Sequence, residues 1–130
     1  MDRQWWTVHR REASKAFRGQ FVAPIGRLTG VAKVKITAGN SGAGAILLAE
    51  QLGADQIILL GFDCQHTGGQ AHWHGDHPPD LANAGVWRKW PAQFERVASA
   101  IRADVVNCSR ETALTVFRRG RLEDYLHADP

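Results

Sequence analysis

The residues best suited to chemistry lie in one run, His72-Trp73-His74-Gly75-Asp76-His77. Histidine titrates near neutral pH and can take a proton from an attacking hydroxyl. His72 and His74 are therefore candidate general bases, and Asp76 is a candidate orienting partner. Imidazole and carboxylate groups are also common ligands of zinc and other divalent metals, so His72, His74, Asp76 and His77 form an alternative metal site. A third interpretation is a surface loop whose histidines are only polar.

The run also matches H-x-H-x-D-H, the zinc signature of the metallo-β-lactamase-like hydrolases. In those enzymes the signature follows a hydrophobic strand, and later segments of a larger domain supply more ligands. Here residues 67–71 (TGGQA) precede it, and the one later histidine is His127. Because a motif needs its structural context, this context favours a catalytic or ligand-gating loop. A metal-dependent hydrolase stays the alternative.

Strand and helix patterns alternate around this run. Strands are predicted where apolar residues alternate with lysines or form short continuous runs, and helices where apolar residues recur every three or four positions. The predicted strands are 31–37, 56–63 and 104–107, and the predicted helices are 43–52, 86–103, 109–117 and 121–127. Ser109 is the expected N-cap of the third helix, and Pro91 is expected to kink or restart the second.

This order predicts an α/β fold, a Rossmann-like three-layer αβα arrangement with a small, mostly parallel sheet. Residues 1–130 would form one such domain, with an irregular or helical segment at 1–30 and a long histidine-rich loop at 64–85. Three strands make a thin sheet. We therefore expect either an extra strand from residues 20–30 or a second copy of the chain covering an edge.

Ligands of open α/β sheets bind at the carboxyl ends of the strands. The first strand leads into Gly39, Asn40, Ser41 and Gly42 at the start of a helix. Glycines allow close backbone approach, and a helix N-terminus favours an anion, so these residues are candidate phosphate ligands. The alternative is a tight strand–helix turn with a serine N-cap.

The other two strand ends supply further candidate ligand-binding residues. The second strand ends at Asp63, which could accept hydrogen bonds from a ribose or a base, hold a catalytic histidine, or close the turn as a cap. His66 lies just downstream of it. Asn107 and Ser109 follow the third strand, where Asn107 contacts a ligand or satisfies buried backbone groups. Cys108 fits a small buried residue better than a nucleophile.

The overall composition indicates an ordinary globular domain of 130 residues, with 44% hydrophobic and 22% charged residues. No apolar run reaches the roughly 20 residues of a membrane span. Two cysteines and an N-terminus without an apolar signal region fit the cytoplasm, or the host cytoplasm for a phage protein. Residues 1–35 hold eight of the sixteen basic residues. This segment is either a solvated basic face or a surface that attracts an anionic ligand, a nucleotide or a nucleic acid.

Much of the chain resembles an uncharacterised family of tailed-phage and prophage proteins. It is more remotely similar to the 6-hydroxymethylpterin pyrophosphokinase-like (DUF115) group and to bacterial CMP-sialic-acid sialyltransferases. The residues that carry the resemblance are Asn40-Ser41-Gly42, Leu48-Ala49, Leu52-Gly53-Ala54, Ile57 to Asp63, His72 to Pro78, Trp90, Phe94, Asn107 to Leu114 and Leu122-Glu123.

The resemblance implies a Rossmann-like domain that binds a nucleotide or a nucleotide-sugar donor and acts as a transferase. It would place Ser41 and Gly42 near the phosphates, Asp63 near the nucleoside, and His72 or His74 as the general base. Phage relatives begin with an additional strand and a glycine-serine turn that form half of the nucleotide site. This chain is expected to lack that unit, since it starts near Asp2-Arg3-Gln4. The remaining alternative is a non-enzymatic, truncated binding module that oligomerises.

Overall fold

The chain has an α/β fold in which the named strands pair in parallel. A computed structural model describes residues 3–24, 26, 28–70 and 87–126. In chain order the elements are α1 (Arg3–Ala16), β1 (Phe21–Ala23), β2 (Val31–Lys33), α2 (Ser41–Gln51), β3 (Gln56–Leu59), a 3-10 turn (Trp87–Lys89), α3 (Trp90–Ala100), β4 (Asp104–Asn107), β5 (Arg118–Arg119) and a 3-10 turn (Leu122–Tyr125).

The strands form two sheets. β1 pairs with β2, and β3, β4 and β5 form a second sheet in that order. In the second sheet Ile57 lies opposite Val105, Leu59 opposite Asn107, and Asn107 opposite Arg119. Within the described ranges no strand pairing joins the two sheets. The predicted α/β class is confirmed. A strand is present between residues 20 and 30 as β1, but it pairs with β2 in a separate sheet and does not extend the sheet of β3, β4 and β5.

One core lies between the second sheet and the two helices α2 and α3. The apolar spacing along α3 turns Phe94 and Val97 toward Ile46 of α2. Pro91 lies in the first turn of α3, where its missing N–H costs no hydrogen bond, so it restarts the helix after the 3-10 turn. The buried cluster consists of Ala43, Ile46, Leu59, Cys64, Phe94, Val97, Val105, Leu114 and Phe117.

Helix α1 packs on the first sheet through aromatic residues. Trp6 is only 3% exposed. Its ring contacts Phe21 at 4.8 Å between centroids, and its Nε1 donates to the carbonyl of Thr29 at 3.1 Å. Phe17 packs edge-on against Phe21 from beyond the end of the helix. Trp6 and Ala23 are buried outside the main cluster, so this part of the chain has its own small core.

Several predicted elements differ from those observed, and the strand predicted at 56–63 is paired only over Gln56–Leu59. The strand predicted at 31–37 pairs over Val31–Lys33 alone, and the final helix is a 3-10 turn. The helix predicted at 109–117 is an irregular segment. There the side chains of Asn107, Ser109 and Thr112 bind backbone groups outside a helical pattern, and such bonds compete with the helix. No described helix combines the length and apolar character that a membrane crossing requires.

Candidate functional site

The candidate site lies at the carboxyl edge of the second sheet. Parallel pairing brings the ends of β3 at Leu59, β4 at Asn107 and β5 at Arg119 to the same edge. Helices α2 and α3 both begin near this edge, because Asn40 before α2 donates from Nδ2 to Oε1 of Gln93 in the first turn of α3 at 2.8 Å. Two helix N-termini and three strand ends therefore meet there.

The start of α2 is capped by asparagine rather than by serine. Asn40 is the N-cap residue, and its Oδ1 accepts a hydrogen bond from the backbone N–H of Ala43 at 2.8 Å. Ser41 is instead the first helical residue. The backbone N–H groups of Ser41 and Gly42 have no hydrogen-bond acceptor among the described residues. They are donors that an anion at this helix end could use.

Gly42 is needed for close packing. A Cβ at this position would lie 2.9 Å from a ring carbon of Phe62 and 3.3 Å from Phe94. The aromatic pair Phe62 and Phe94 meets edge-on at 5.8 Å between centroids. The start of α2 thus contacts the segment that leaves β3, one residue before Asp63. The sequence interpretation assigned this glycine to ligand approach, whereas the packing alone already requires it.

A hydrogen-bond network around Thr112 joins the segments that leave β3 and β4. The Thr112 hydroxyl donates to the carbonyl of Phe62 at 2.6 Å. It also accepts from Nδ2 of Asn107 at 3.2 Å and from the N–H of Leu114 at 2.9 Å. The Ser109 hydroxyl accepts from the N–H of Phe62 at 2.8 Å. These bonds hold the two strand exits side by side beyond the last paired residues.

Asn107 and Ser109 use their polar groups within the chain. Asn107 is fully buried, and its Oδ1 accepts from the N–H of Ser109 while its Nδ2 donates to Leu114 as well as to Thr112. Ser109 is 3% exposed, and its hydroxyl accepts a hydrogen bond from the backbone N–H of Phe62. Their predicted role as ligand contacts stays a prediction. The observed bonds show that they shape the edge on which a ligand would lie.

Asp63 is half-buried where the chain leaves β3. Its backbone carbonyl accepts from the N–H of Ala113 at 2.7 Å, and its carboxylate Oδ2 accepts from the hydroxyl of Thr67 at 3.1 Å. The other carboxylate oxygen has no donor among the described residues. The structure therefore fixes the position of Asp63 and leaves one acceptor atom for a hydroxyl or an amino group of a ligand.

Cys64 is the next residue, and it adopts a conformation unusual for a side-chain-bearing residue. Its φ is +50°, and the side chain is 6% exposed. Burial, and then the neighbouring charge of Asp63, raise the pKa of the Cys64 thiol. A raised pKa keeps the thiol protonated near neutral pH, so this cysteine is a packing residue rather than a nucleophile.

Two described residues on either side of the histidine run, His66 and Trp87, lie close together. Their rings are in contact at 5.0 Å between centroids. Between His66 and the run, Gly68 and Gly69 have φ values of +61° and +78° and form a two-residue turn. The predicted catalytic and metal-ligating residues His72, His74, Asp76 and His77 lie outside the described residues. Among the residues that are described, no three potential metal ligands form a cluster.

Arg119 is a further residue of the candidate site, and it was not among the candidates identified from the sequence. Its guanidinium donates to the carbonyls of Ser109 and Arg110, which anchors a positive charge at the carboxyl edge. The preceding Arg118 points away, toward Asp104 at the opposite edge. Successive side chains of a strand point to opposite faces of the sheet, so the two arginines have different partners. The pairing of β5 with β4 could not be anticipated from two arginines.

No protein-family model, curated protein or solved structure matches this chain significantly, so the functional argument rests on the geometry of this edge.

Proposed function

We propose that the chain is a Rossmann-like, nucleotide- or nucleotide-sugar-dependent transferase domain of phage or prophage type. The donor's phosphates would lie at the start of α2, and its nucleoside would lie toward Asp63. One observation carries the proposal: the N–H groups of Ser41 and Gly42, which have no acceptor among the described residues, lie beside the segment that leaves β3. Helix N-termini at strand ends are the usual phosphate sites of α/β folds.

Charge at the carboxyl edge supports an anionic ligand with a polar second half. Arg119 supplies a fixed cation two strands away from β3, which corresponds to about 10 Å. The Asp63 carboxylate oxygen that no described residue contacts would supply an acceptor suited to a ribose hydroxyl or to the amino group of a base. Phosphates near the helix and Arg119, with the nucleoside near the carboxylate, would satisfy both charges.

A histidine of the run His72 to His77 completes the proposal as the general base. His72 or His74 would remove the proton from the acceptor hydroxyl as its oxygen attacks the donor. The nucleotide would leave as an anion, and the N–H groups at the start of α2 would stabilise its charge. The base assignment depends on the sequence and the resemblance, and the His66–Trp87 contact is consistent with it because it brings described residues on both sides of the run close together.

Calorimetric titration with CMP, UMP, GMP and AMP and their sugar conjugates tests the proposal. Ser41→Pro removes one N–H donor at a helix position where proline is tolerated, and Asn40, at φ −146° and ψ 166°, already has the extended conformation favoured before proline. Ser41→Ala is the matched control, because it removes only the hydroxyl. We expect Ser41→Pro to weaken binding about tenfold more than Ser41→Ala, the value of one charge-assisted hydrogen bond.

A substitution of Asp63 tests the proposed position of the nucleoside. Asp63→Asn keeps an acceptor for Thr67 but loses the charge, and it should lower affinity for donors whose base or ribose donates to this carboxylate. The absence of binding for every nucleotide in the panel, or equal affinity of the proline and alanine variants, would contradict the proposed site.

A further inference from the structure

The positive charge of this chain is concentrated at one end. Residues 1–35 contain eight basic and two acidic residues, and the rest of the chain contains eight basic and eleven acidic residues. The N-terminal part therefore carries a formal charge of +6, against −3 for the remainder. A chain with an overall charge of +3 thus has a strongly polarised charge distribution. Such an asymmetry steers an anionic polymer to one face of the molecule.

We define residues 3–37 as the N-terminal basic unit, which comprises α1, β1, β2 and the chain up to Thr37. Seven cations of this unit are described, and all of them are exposed: Arg3, Arg10, Arg11, Lys15, Arg18, Lys33 and Lys35. The one acidic residue among the described positions of the unit is Glu12. The charge of the unit therefore faces solvent and is hardly neutralised by the unit's own carboxylates.

Two of these cations converge on one backbone turn. The Arg3 guanidinium donates to the carbonyl of Gly26 at 3.3 Å. The Lys33 side chain covers the other side of the same glycine, with Nζ 3.9 Å from the position that a Cβ would occupy. Both cations therefore lie beside one turn of the chain, where a phosphate group could contact the two of them.

The outer face of α1 continues the positive surface. Trp6 turns the inner face of the helix toward β1. Arg11 and Lys15 are one helical turn apart on the opposite face, where Val8 is 55% exposed. Trp5 is 38% exposed beside them, with its ring 5.0 Å from that of His9. Cations are thus interleaved with an aromatic ring and an aliphatic side chain on a helix that packs against β1 through Trp6.

We infer that the N-terminal basic unit is a binding surface for single-stranded nucleic acid. Its lysine and arginine side chains would contact successive phosphates, and the exposed ring of Trp5 would stack against a base, as aromatic side chains do in single-strand-binding proteins. A single strand fits better than a duplex because it presents phosphates and unstacked bases together. This inference is independent of the nucleotide site, since it uses the other end of the chain.

Fluorescence anisotropy of the full chain with a labelled 30-nucleotide oligothymidylate tests the inference. If about four phosphates are neutralised, affinity should fall about 50-fold between 50 and 200 mM NaCl. Arg11→Gln with Lys15→Gln should remove two of these contacts. At 50 mM NaCl each lost contact should weaken binding about eightfold, and the salt dependence should become shallower.

A matched double variant controls for net charge. Lys89→Gln with Arg96→Gln removes two exposed cations from the acidic part of the chain, so it should leave binding within about twofold of wild type. Arg3→Gln with Lys33→Gln tests whether the two cations beside Gly26 contribute to binding. Trp5→Ala tests stacking and should weaken binding about fivefold or more. Circular dichroism of each variant verifies the fold.

Three results would overturn the inference. The first is that wild type does not bind the oligonucleotide at 50 mM NaCl. Retention of the protein by phosphatidylserine vesicles in the absence of oligonucleotide binding would count as the same result. The second is an equal loss of affinity in the Lys89→Gln/Arg96→Gln control, which would show a nonspecific charge effect. The third is tighter binding of a duplex of equal length than of the single strand.

Discussion

Thr112 is the residue on which the shape of the carboxyl edge depends most directly. Thr112→Val replaces the hydroxyl by a methyl group of similar size, so the packing volume is nearly unchanged. The hydroxyl makes three hydrogen bonds, one as a donor to Phe62 and two as an acceptor from Asn107 and Leu114. Asn107 retains a second acceptor after the substitution, but the Phe62 carbonyl and the Leu114 N–H lose this partner.

The expected cost follows from these contacts. Three hydrogen bonds at about 1 kcal/mol each amount to about 3 kcal/mol. The added methyl group, which is half-buried, returns a fraction of the roughly 0.8 kcal/mol of a buried methylene. The net destabilisation should be about 2 kcal/mol. A domain of this size is typically stable by about 5–15 kcal/mol, so the variant should fold and remain measurable.

Urea unfolding followed by tryptophan fluorescence measures the effect, and the midpoint should fall by about 1 M at an unchanged slope. Thr112→Ser retains the hydroxyl and should lose less than about 1 kcal/mol. Thr115→Val makes the same chemical change at an exposed threonine nearby and should be neutral. A Thr112→Val protein within about 0.5 kcal/mol of wild type would refute the structural role assigned to this network.

Substitutions at Gly42, Asp104 and Glu50 test three other sets of contacts. Gly42→Ala should destabilise the fold by about 1–3 kcal/mol because its Cβ would meet two phenylalanine rings. Gly44→Ala, whose Cβ would have its nearest neighbour 3.7 Å away, should stabilise the fold by about 0.5–1 kcal/mol. Thermal unfolding of the two variants side by side measures both effects. The hydrogen bond from Arg118 holds the pKa of Asp104 below its usual value, so this carboxylate stabilises the fold above about pH 4 and loses that contribution as pH falls through its lowered pKa. Asp104→Asn should therefore be less stable than wild type at pH 7 and approach it near pH 2, and a constant difference across a pH series of melting temperatures would contradict the pair. Hydrogen bonds from two backbone N–H groups before β4 lower the pKa of Glu50. Glu50→Ala should therefore lower the melting temperature at pH 7 more than Glu50→Gln, which keeps an acceptor. Equal effects of the two variants would show that those donors need no acceptor.

The sequence predicted the elements with strong local patterns and missed those that depend on distant partners. The continuous apolar run before Gly61 correctly indicated a parallel strand, although only Leu59 in it is fully buried, and the three- and four-residue spacing around Phe94 indicated α3. The division into two sheets was not predictable, because a three-residue strand such as β2 has too few positions to specify its neighbour. From the sequence, Ser109 fitted a helix N-cap. The structure shows that its hydroxyl instead accepts from the backbone N–H of Phe62, a residue distant in sequence.

The same distinction applies to the site. Asn40 and Ser41 are both good cap residues, and only the geometry shows that Asn40 has this role. Thr112 carried a local signal, since a threonine often accepts from the N–H two residues ahead. Its bond to a carbonyl fifty residues earlier was invisible in the sequence. Residues that bind across the fold are therefore recognised from the structure, even when their local behaviour is typical.

The separation of the two sheets implies that the chain opens in two units with different free energies. A two-stranded sheet is marginal alone, so the backbone amides of β1 and β2 should exchange with solvent through partial opening around Trp6. The amides shared by β3 and β4 should exchange only when the main core unfolds. A nucleotide at the start of α2 would then slow the second set, and a polymer on the basic unit would slow the first. Each binding event would have its own signature in hydrogen exchange, although both occur on one short chain.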